Sequence, residues 1–201
     1  MKLAIFGATG ATGRHLVEQA VQAGHEVTAL ARTASSLPGA HIVIGNLNQA
    51  EAMQSVVQGA DVVISVLGMR SGDPAPVCSN GMQSILQAMN ATGTQRLIAL
   101  SAYGALESAQ DSTFIRLIRK VIARKMRDKD AMEVLVRHSG MRWTLVRPPM
   151  LSNGAQTGRY RVGTDLQPGC TSKLSRADLA AFILQEAVSG QFTGQAPVVS
   201  A

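Results

Sequence analysis

Short runs of consecutive apolar residues alternate along the chain with longer stretches in which apolar positions recur every three or four residues. The runs are Leu3 to Phe6, Glu26 to Ala31, His41 to Ile44, Asp61 to Val66, Arg96 to Leu100 and Arg142 to Val146, and they predict strands buried on both faces. The amphipathic stretches predict helices. In Arg14 to Ala23, Leu16, Val17, Ala20 and Val21 cover one face; Gln49 to Gln58, Ser79 to Ala91 and a long stretch from about Ser112 to His138 follow. Gly24, Gly59, Gly93 and Gly140 each precede a strand, where a helix end needs a residue that tolerates positive φ. This β-α-β rhythm predicts an α/β fold, a doubly wound parallel sheet with helices on both faces. Beyond Pro148 come a Gly-rich loop, a short strand near Arg159 to Val162 and a helix from Ser175 to Val188. These late elements are expected to fold back over the open edge of the sheet as a substrate-side cover. No internal repeat or linker divides residues 1–201, so one domain is expected.

Between the first strand and the first helix lie three glycines, Gly7, Gly10 and Gly13, in the run L-A-I-F-G-A-T-G-A-T-G. A glycine-rich turn in that place holds a dinucleotide pyrophosphate. One glycine makes the tight turn, one lets the backbone approach the phosphates, and one lets helix and strand pack closely, while the helix N-terminus offers free N–H groups to the anion. The spacing G-x-x-G-x-x-G is typical of short-chain dehydrogenase/reductases. The expected fold is therefore a Rossmann-type domain that binds NAD(P).

Ligands of open parallel sheets lie outside the carboxyl ends of the strands. The second strand ends at Arg32, with Thr33, Ser35 and Ser36 as further donors and no acid. An arginine there suits the 2′-phosphate of NADP rather than the free ribose hydroxyl of NAD, unless it is an ordinary surface residue. The third strand ends at Gly45-Asn46-Leu47, the fourth at Ser65-Val66-Leu67-Gly68-Met69, the fifth at Ser101-Ala102-Tyr103 and the sixth at Arg147-Pro148-Pro149-Met150.

Composition narrows the alternatives. Aromatic residues make up 3% of the chain, too few for a stacked nucleic-acid platform. Cys78 and Cys170 stand apart, and His15, His25, His41 and His138 form no ligand spacing, so no metal is expected. No apolar run approaches the roughly 20 residues of a membrane span, and Met1 leads directly into a strand, so a cytoplasmic protein is expected. The net charge of +6 is concentrated from Arg116 to Lys129, where Phe114, Leu117, Ile118, Val121, Ile122 and Met126 recur among the basic residues. That stretch reads as a solvated face opposite a core stripe, as an attractor of anionic substrates, or, third, as a nucleic-acid contact, for which no reader motif accompanies the charge.

The stretches K-L-A-I-F-G-A-T-G-A-T-G, A-V-Q-A-G-H-E-V-T-A-L-A-R, V-L-G-M-R, A-L-S-A-Y, S-G-M-R-W-T-L-V-R-P-P-M and T-G-R-Y-R-V resemble the biliverdin reductase B/flavin reductase family. This family belongs to the atypical, NmrA-like short-chain dehydrogenase/reductases, and the likeness runs along essentially the whole chain. It implies reduction of flavins, or of tetrapyrroles such as biliverdin, by NADPH. It assigns Gly7, Thr9, Gly10, Ala11, Thr12 and Gly13 to the pyrophosphate loop and Arg32 to the 2′-phosphate. Asn46 falls on the adenine side, Leu67 and Gly68 along the cofactor, and Ser101 beside the nicotinamide, with Leu47 and Pro148 as further cofactor-binding candidates. Asn46 replaces a frequent Asp, and Met150 replaces a histidine near the substrate, which weighs against biliverdin.

The tyrosine–lysine pair that protonates alkoxides in many such enzymes is missing, since Glu107 and Thr164 stand four residues after Tyr103 and Tyr160. A flavin or quinone needs that acid less than a ketone does, because it spreads the incoming charge and takes its proton from water. Ser101 and Lys129 remain as the polar candidates for catalysis. Lys129 stands four residues before Glu133, either paired with it on a solvated face or turned to the nicotinamide ribose as in NmrA-like chains. Met69, Tyr103 and Met150, on the loops from Gly68, Ala102 and Pro148, are the expected walls for a flat acceptor. A dinucleotide sensor without turnover is the competing expectation.

Overall fold

The six apolar runs form one parallel sheet: β1 (Lys2–Phe6), β2 (Glu26–Ala31), β3 (Ala40–Ile44), β4 (Val62–Ser65), β5 (Arg96–Leu100) and β6 (Arg142–Val146). Their spatial order is β3-β2-β1-β4-β5-β6, the Rossmann order, in which the direction of winding reverses between β1 and β4. The computed structural model describes residues 1–34, 36–70, 72–73, 76–110, 113–169 and 171–201, with only the backbone of Gln110, Thr113, Phe114 and Ile118. Ser35, Pro74, Cys170 and the expected helix start at Ser112 lie outside the described residues.

Side chains alternate across each strand, so β1 sends Leu3 and Ile5 to one face of the sheet and Ala4 and Phe6 to the other. The first face is covered by α1 (Ala11–Gln22), through Leu16, Val17 and Ala20. The second is covered by α2 (Ala50–Val57) and α3 (Val77–Thr92), through Met53, Val57, Met82 and Ile85. The long helix expected from about Ser112 to His138 is two helices, α4 (Thr113–Val121) and α5 (Ala123–Arg137). They part at Ile122, whose φ of −110° and ψ of 32° leave the helical region. Arg119 ties α4 to Asp130 and to the Gly104 carbonyl, whereas Met132 and Val136 draw α5 onto the second face of the sheet. Two different sets of contacts thus set the two directions. The final helix, α6 (Arg176–Ser189), packs beside α1 with Leu179 and Ile183 in the first core.

Four short strands complete the chain: β7 (Met150–Ser152), β8 (Arg161–Gly163), β9 (Lys173–Ser175) and β10 (Val198–Ser200). β7 pairs with β9 and β8 with β10, and bridges from Thr144 to Gln195 and from Arg147 to Val198 lay the last segment along β6. Only the strand near β8 was expected, because three-residue strands are too short to show a period. Glu186 of α6 stitches this cover to the sheet. Its carboxylate meets Arg96 of β5 at 2.7 Å and the Thr144 hydroxyl of β6 at 2.9 Å, all three buried.

α3 begins two residues earlier than its apolar pattern indicates because a distant carboxylate caps it. Asp128 of α5, 3% exposed, accepts the N–H groups of Val77, Cys78 and Ser79 at 2.8 to 3.1 Å and the Ser79 hydroxyl at 2.7 Å. Burial opposes its charge, but these donors prevail and hold its pKa below the ordinary carboxylate value. Asp128→Asn should therefore cost about 1.5 kcal/mol near neutral pH, the lower end for a hydrogen-bonded charge. A depressed folded pKa stabilises above the unfolded value of about 4 and ceases to do so as pH falls through the folded one. Thermal melts of parent and variant should differ steadily from about pH 5 to 8 and converge below about pH 4.

Candidate dinucleotide site

The turn after β1 is built so that only glycine fits at two places. Gly7 has φ +85°, and a Cβ there would lie 2.9 Å from the Val66 carbonyl carbon and oxygen. A Cβ on Gly13 would lie 2.2 Å from the Gly7 oxygen and 2.7 Å from the Ala8 Cα. The first glycine lets β1 run close to the end of β4; the second presses α1 against the turn. Gly10 is the residue that starts α1, with extended backbone and no side-chain cap, and no acid stands in the first turn. The exposed Ala11 and its neighbour Thr12 thus head a helix whose positive end lies at the switch point of the sheet.

Around this turn the strand ends bring together most of the residues expected from the sequence. Arg32 and Thr33 are exposed beyond β2, and among the described residues Arg32 has no ion-pair partner. Asn46 closes a small turn in which its side-chain oxygen accepts the Asn48 N–H at 2.9 Å. Gly81 of α3 lies so near Leu67 and Leu47 that a Cβ would be 2.6 and 3.1 Å from their methyl groups. That helical glycine, which sequence reasoning passed over, lets α3 press against both leucines. At Gly68 a Cβ would meet open space.

Lys129 reaches inward rather than along its helix. Its ammonium donates to the Leu67 carbonyl at 3.0 Å and the Leu100 carbonyl at 2.5 Å, spanning the ends of β4 and β5. The alternative of a solvated pair with Glu133 is not formed, because Glu133 is fully buried and engaged elsewhere. It accepts the Ser101 hydroxyl at 2.5 Å and the Nε and a terminal N–H of Arg147 at 3.0 and 2.5 Å. Ser101 thus spends its proton inward, and its oxygen is left as an acceptor.

Arg147 continues the network to Glu107 at 2.8 Å, which also meets Arg137 at 2.7 Å. Burial pushes the Glu107 carboxyl up, but the hydrogen bonds from Arg147 and Arg137 outweigh it and hold the group at about 2. Arg137 lies over the Trp143 ring at 5.6 Å. Glu107, Arg137, Trp143 and Arg147, with Tyr103, line a cavity of about 490 Å³ at the β6 edge that includes neither Met69 nor Met150. The Tyr103 N–H donates to the Pro148 carbonyl at 2.8 Å, so two of the three loops expected around the acceptor do meet. Met150 is 55% exposed, Tyr103 and Met69 half-buried, and Pro148 buried. Glu133 and Arg147 were not singled out from the sequence for this role, although the strand-end rule does reach Arg147.

The glycine cradle, the uncapped helix and the exposed arginine fit a dinucleotide: tight backbone, free N–H donors and a cation at the proper intervals. Residues 7–189 match the family model described as NAD(P)H-binding. The chain belongs to that family. Among solved structures of NAD(P)H-binding type and related proteins, a candidate NADH-flavin reductase from Streptococcus pneumoniae is 26% identical. It has a TM-score of 0.83 and covers 100% of this chain and 99% of its own. An anaerobilin reductase from Escherichia coli O157:H7 is similar in fold, with a TM-score of 0.85 over 99% of this chain and 96% of that one at 21% identity. The Bacillus subtilis protein YwnB is 26% identical over 197 residues, 92% of each chain. The Mycobacterium tuberculosis protein Rv2047c is 35% identical over 104 residues, 51% of this chain but only 12% of that protein. Membership in the NAD(P)H-binding family agrees with the resemblance to atypical short-chain dehydrogenase/reductases and makes a nicotinamide dinucleotide the cofactor class. Among the described residues no helix is long and apolar enough to cross a membrane, and no group of three or more His, Cys, Asp or Glu is placed to hold a metal ion.

Proposed function

We propose that this protein is a cytoplasmic NADPH-dependent reductase that passes hydride to a flavin-like or other conjugated acceptor, such as a quinone or tetrapyrrole. The observation that carries this reading is what Ser101 and Lys129 do at the ends of β4 and β5. Ser101 gives its proton to Glu133, and Lys129 holds two main-chain carbonyls. A site so equipped positions rings and leaves protonation to water, which suits an acceptor that stabilises its own charge. When bound, the dinucleotide supplies the hydride.

The chain's own groups have distinct tasks in this reading. Gly7, Thr9, Gly10, Ala11, Thr12 and Gly13 form the turn and helix start that hold the pyrophosphate, and Arg32 holds the 2′-phosphate. Asn46 and Leu47 flank the adenine side, and Leu67, Gly68 and Pro148 border the nicotinamide half. Ser101 accepts a hydrogen bond from the carboxamide, and the third N–H of Lys129 serves the ribose. Met69, Tyr103 and Met150 wall the acceptor. The candidate flavin reductase from S. pneumoniae and the anaerobilin reductase, both of this fold, support an acceptor of this kind.

The direct test is oxidation of NADPH with flavins, quinones, biliverdin and aldehydes in parallel. Turnover with flavin or quinone and none with simple aldehydes is expected. Tight NADPH binding with no turnover on any acceptor would establish a sensor instead. Tyr103→Phe should leave flavin reduction within a few-fold of the parent, whereas Ser101→Ala should lower kcat/KM about tenfold, the effect of one neutral hydrogen bond. A loss of several orders of magnitude in Tyr103→Phe would make the tyrosine an acid and overturn the acceptor assignment.

A further inference from the structure

Residues 113–127 contain six of the chain's basic residues and no acidic one, and the rest of the chain holds thirteen of each sign. The whole net charge of +6 therefore resides in α4 and the start of α5. Sequence alone allows this to be a solvated face opposite a core stripe; the structure buries Met126 but leaves three of the apolar residues at the surface. Leu117 is 60% exposed, Val121 76% and Ile122 37%. Leu117 and Val121 are one helical turn apart, so they form a common ridge, with exposed Arg116 and Lys120 beside it and exposed Lys125 and Arg127 just beyond. Only one cation of α4, Arg119, is turned to the protein, where it meets Asp130 at 2.6 Å. Among the described residues, the acids nearest this region on neighbouring elements are already engaged: Asp130 with Arg119, Asp128 with α3, and Glu107 with Arg147.

We propose that α4 is an interfacial helix that docks the protein onto an anionic lipid bilayer. Exposed apolar side chains flanked by cations, in a stretch from 113 to 127 that contains no acid, match such a surface in both respects. The ridge enters the headgroup–acyl boundary while Arg116, Lys120, Lys125 and Arg127 meet lipid phosphates. A protein partner of ordinary mixed surface charge would not satisfy this concentration of cations, and a second copy of the same face would repel it. Arg119 joins α4 to the Gly104 carbonyl, one residue from Tyr103, so docking brings the mouth of the proposed acceptor site to the bilayer surface. The inference itself rests on α4 and the start of α5 and stands whether or not the site turns over.

The test is co-sedimentation of the full chain with vesicles of phosphatidylcholine, with and without phosphatidylglycerol. Binding to the anionic vesicles only, weakened at about 0.5 M salt, is expected. Leu117→Glu/Val121→Glu should reduce that partition at least about tenfold while leaving NADPH binding and the circular dichroism melt unchanged. Lys120→Gln/Lys125→Gln should weaken it several-fold and leave both controls intact. Absence of binding to anionic vesicles would overturn the proposal. So would undiminished binding by Leu117→Glu/Val121→Glu, or a parent dimer in sedimentation analysis that the same variant converts to monomer. A preference for single- or double-stranded nucleic acid over anionic vesicles at equal salt would also overturn it.

Discussion

Glu133→Ala should destabilise the protein by about 3 to 5 kcal/mol, since it removes the partner of a buried cation rather than a surface contact. Arg147 is 3% exposed and Glu133 fully buried, and two hydrogen bonds join them. In a domain of this size the melting temperature should fall by about 10 °C or more. Glu107, the other carboxylate on Arg147, is largely exposed and cannot replace a partner inside the core. Glu133→Leu/Arg147→Met should recover much of the loss, because replacing both members of a buried pair with apolar residues is often near neutral. That double variant should fold but remain slow if Ser101 needs its carboxylate anchor, whereas a purely structural network would give a stable and fully active protein. Thermal melts and flavin-reduction assays on the three proteins separate these outcomes.

Arg32→Ala should weaken NADPH binding about 10- to 100-fold and leave NADH almost unaffected. A guanidinium bonds a phosphate through charge-assisted pairs worth about 1.5 to 3 kcal/mol, and about 1.4 kcal/mol is tenfold. Arg32 is exposed at the carboxyl end of β2 and has no ion-pair partner among the described residues, so its removal leaves no buried acid behind. Thr33 and Ser36 stand nearby and favour the smaller effect. Titration of both cofactors against parent and variant in one buffer decides it. Equal losses for the two would make Arg32 a structural residue, and equal affinity of the parent for both would remove the preference for NADPH.

The sheet was legible in the sequence because its strands are continuously apolar and each of the four helices that lead into a strand of the sheet is followed by a glycine. Gly24, Gly59, Gly93 and Gly140 all adopt positive φ, between +71° and +78°. The glycine turn was equally plain from its spacing, although only Gly13 answers to atoms a few residues away, and Gly7 to the distant Val66 carbonyl. What escaped depends on residues far apart in the chain. Nothing near Val77 announces that Asp128 will cap α3, and the bond from Ser101 to Glu133 spans 32 positions. Lys129 illustrates the limit of local spacing: the i to i+4 rule offers Glu133 as its partner, but burial gives Glu133 to Arg147 and sends the lysine to two carbonyls. The break at Ile122 has no glycine or proline to mark it and follows from where α4 and α5 are each anchored.

The stitch between Arg96 and Glu186 spans 90 residues, and this has a consequence for how the chain acquires its structure. While it is being synthesised, β5 emerges long before α6, and its arginine has no carboxylate to meet. The sheet can therefore assemble as far as β6 only with the Arg96 guanidinium still open to water and an unprotected strand at its edge. The contact that closes the native state therefore waits until α6 and β10 arrive.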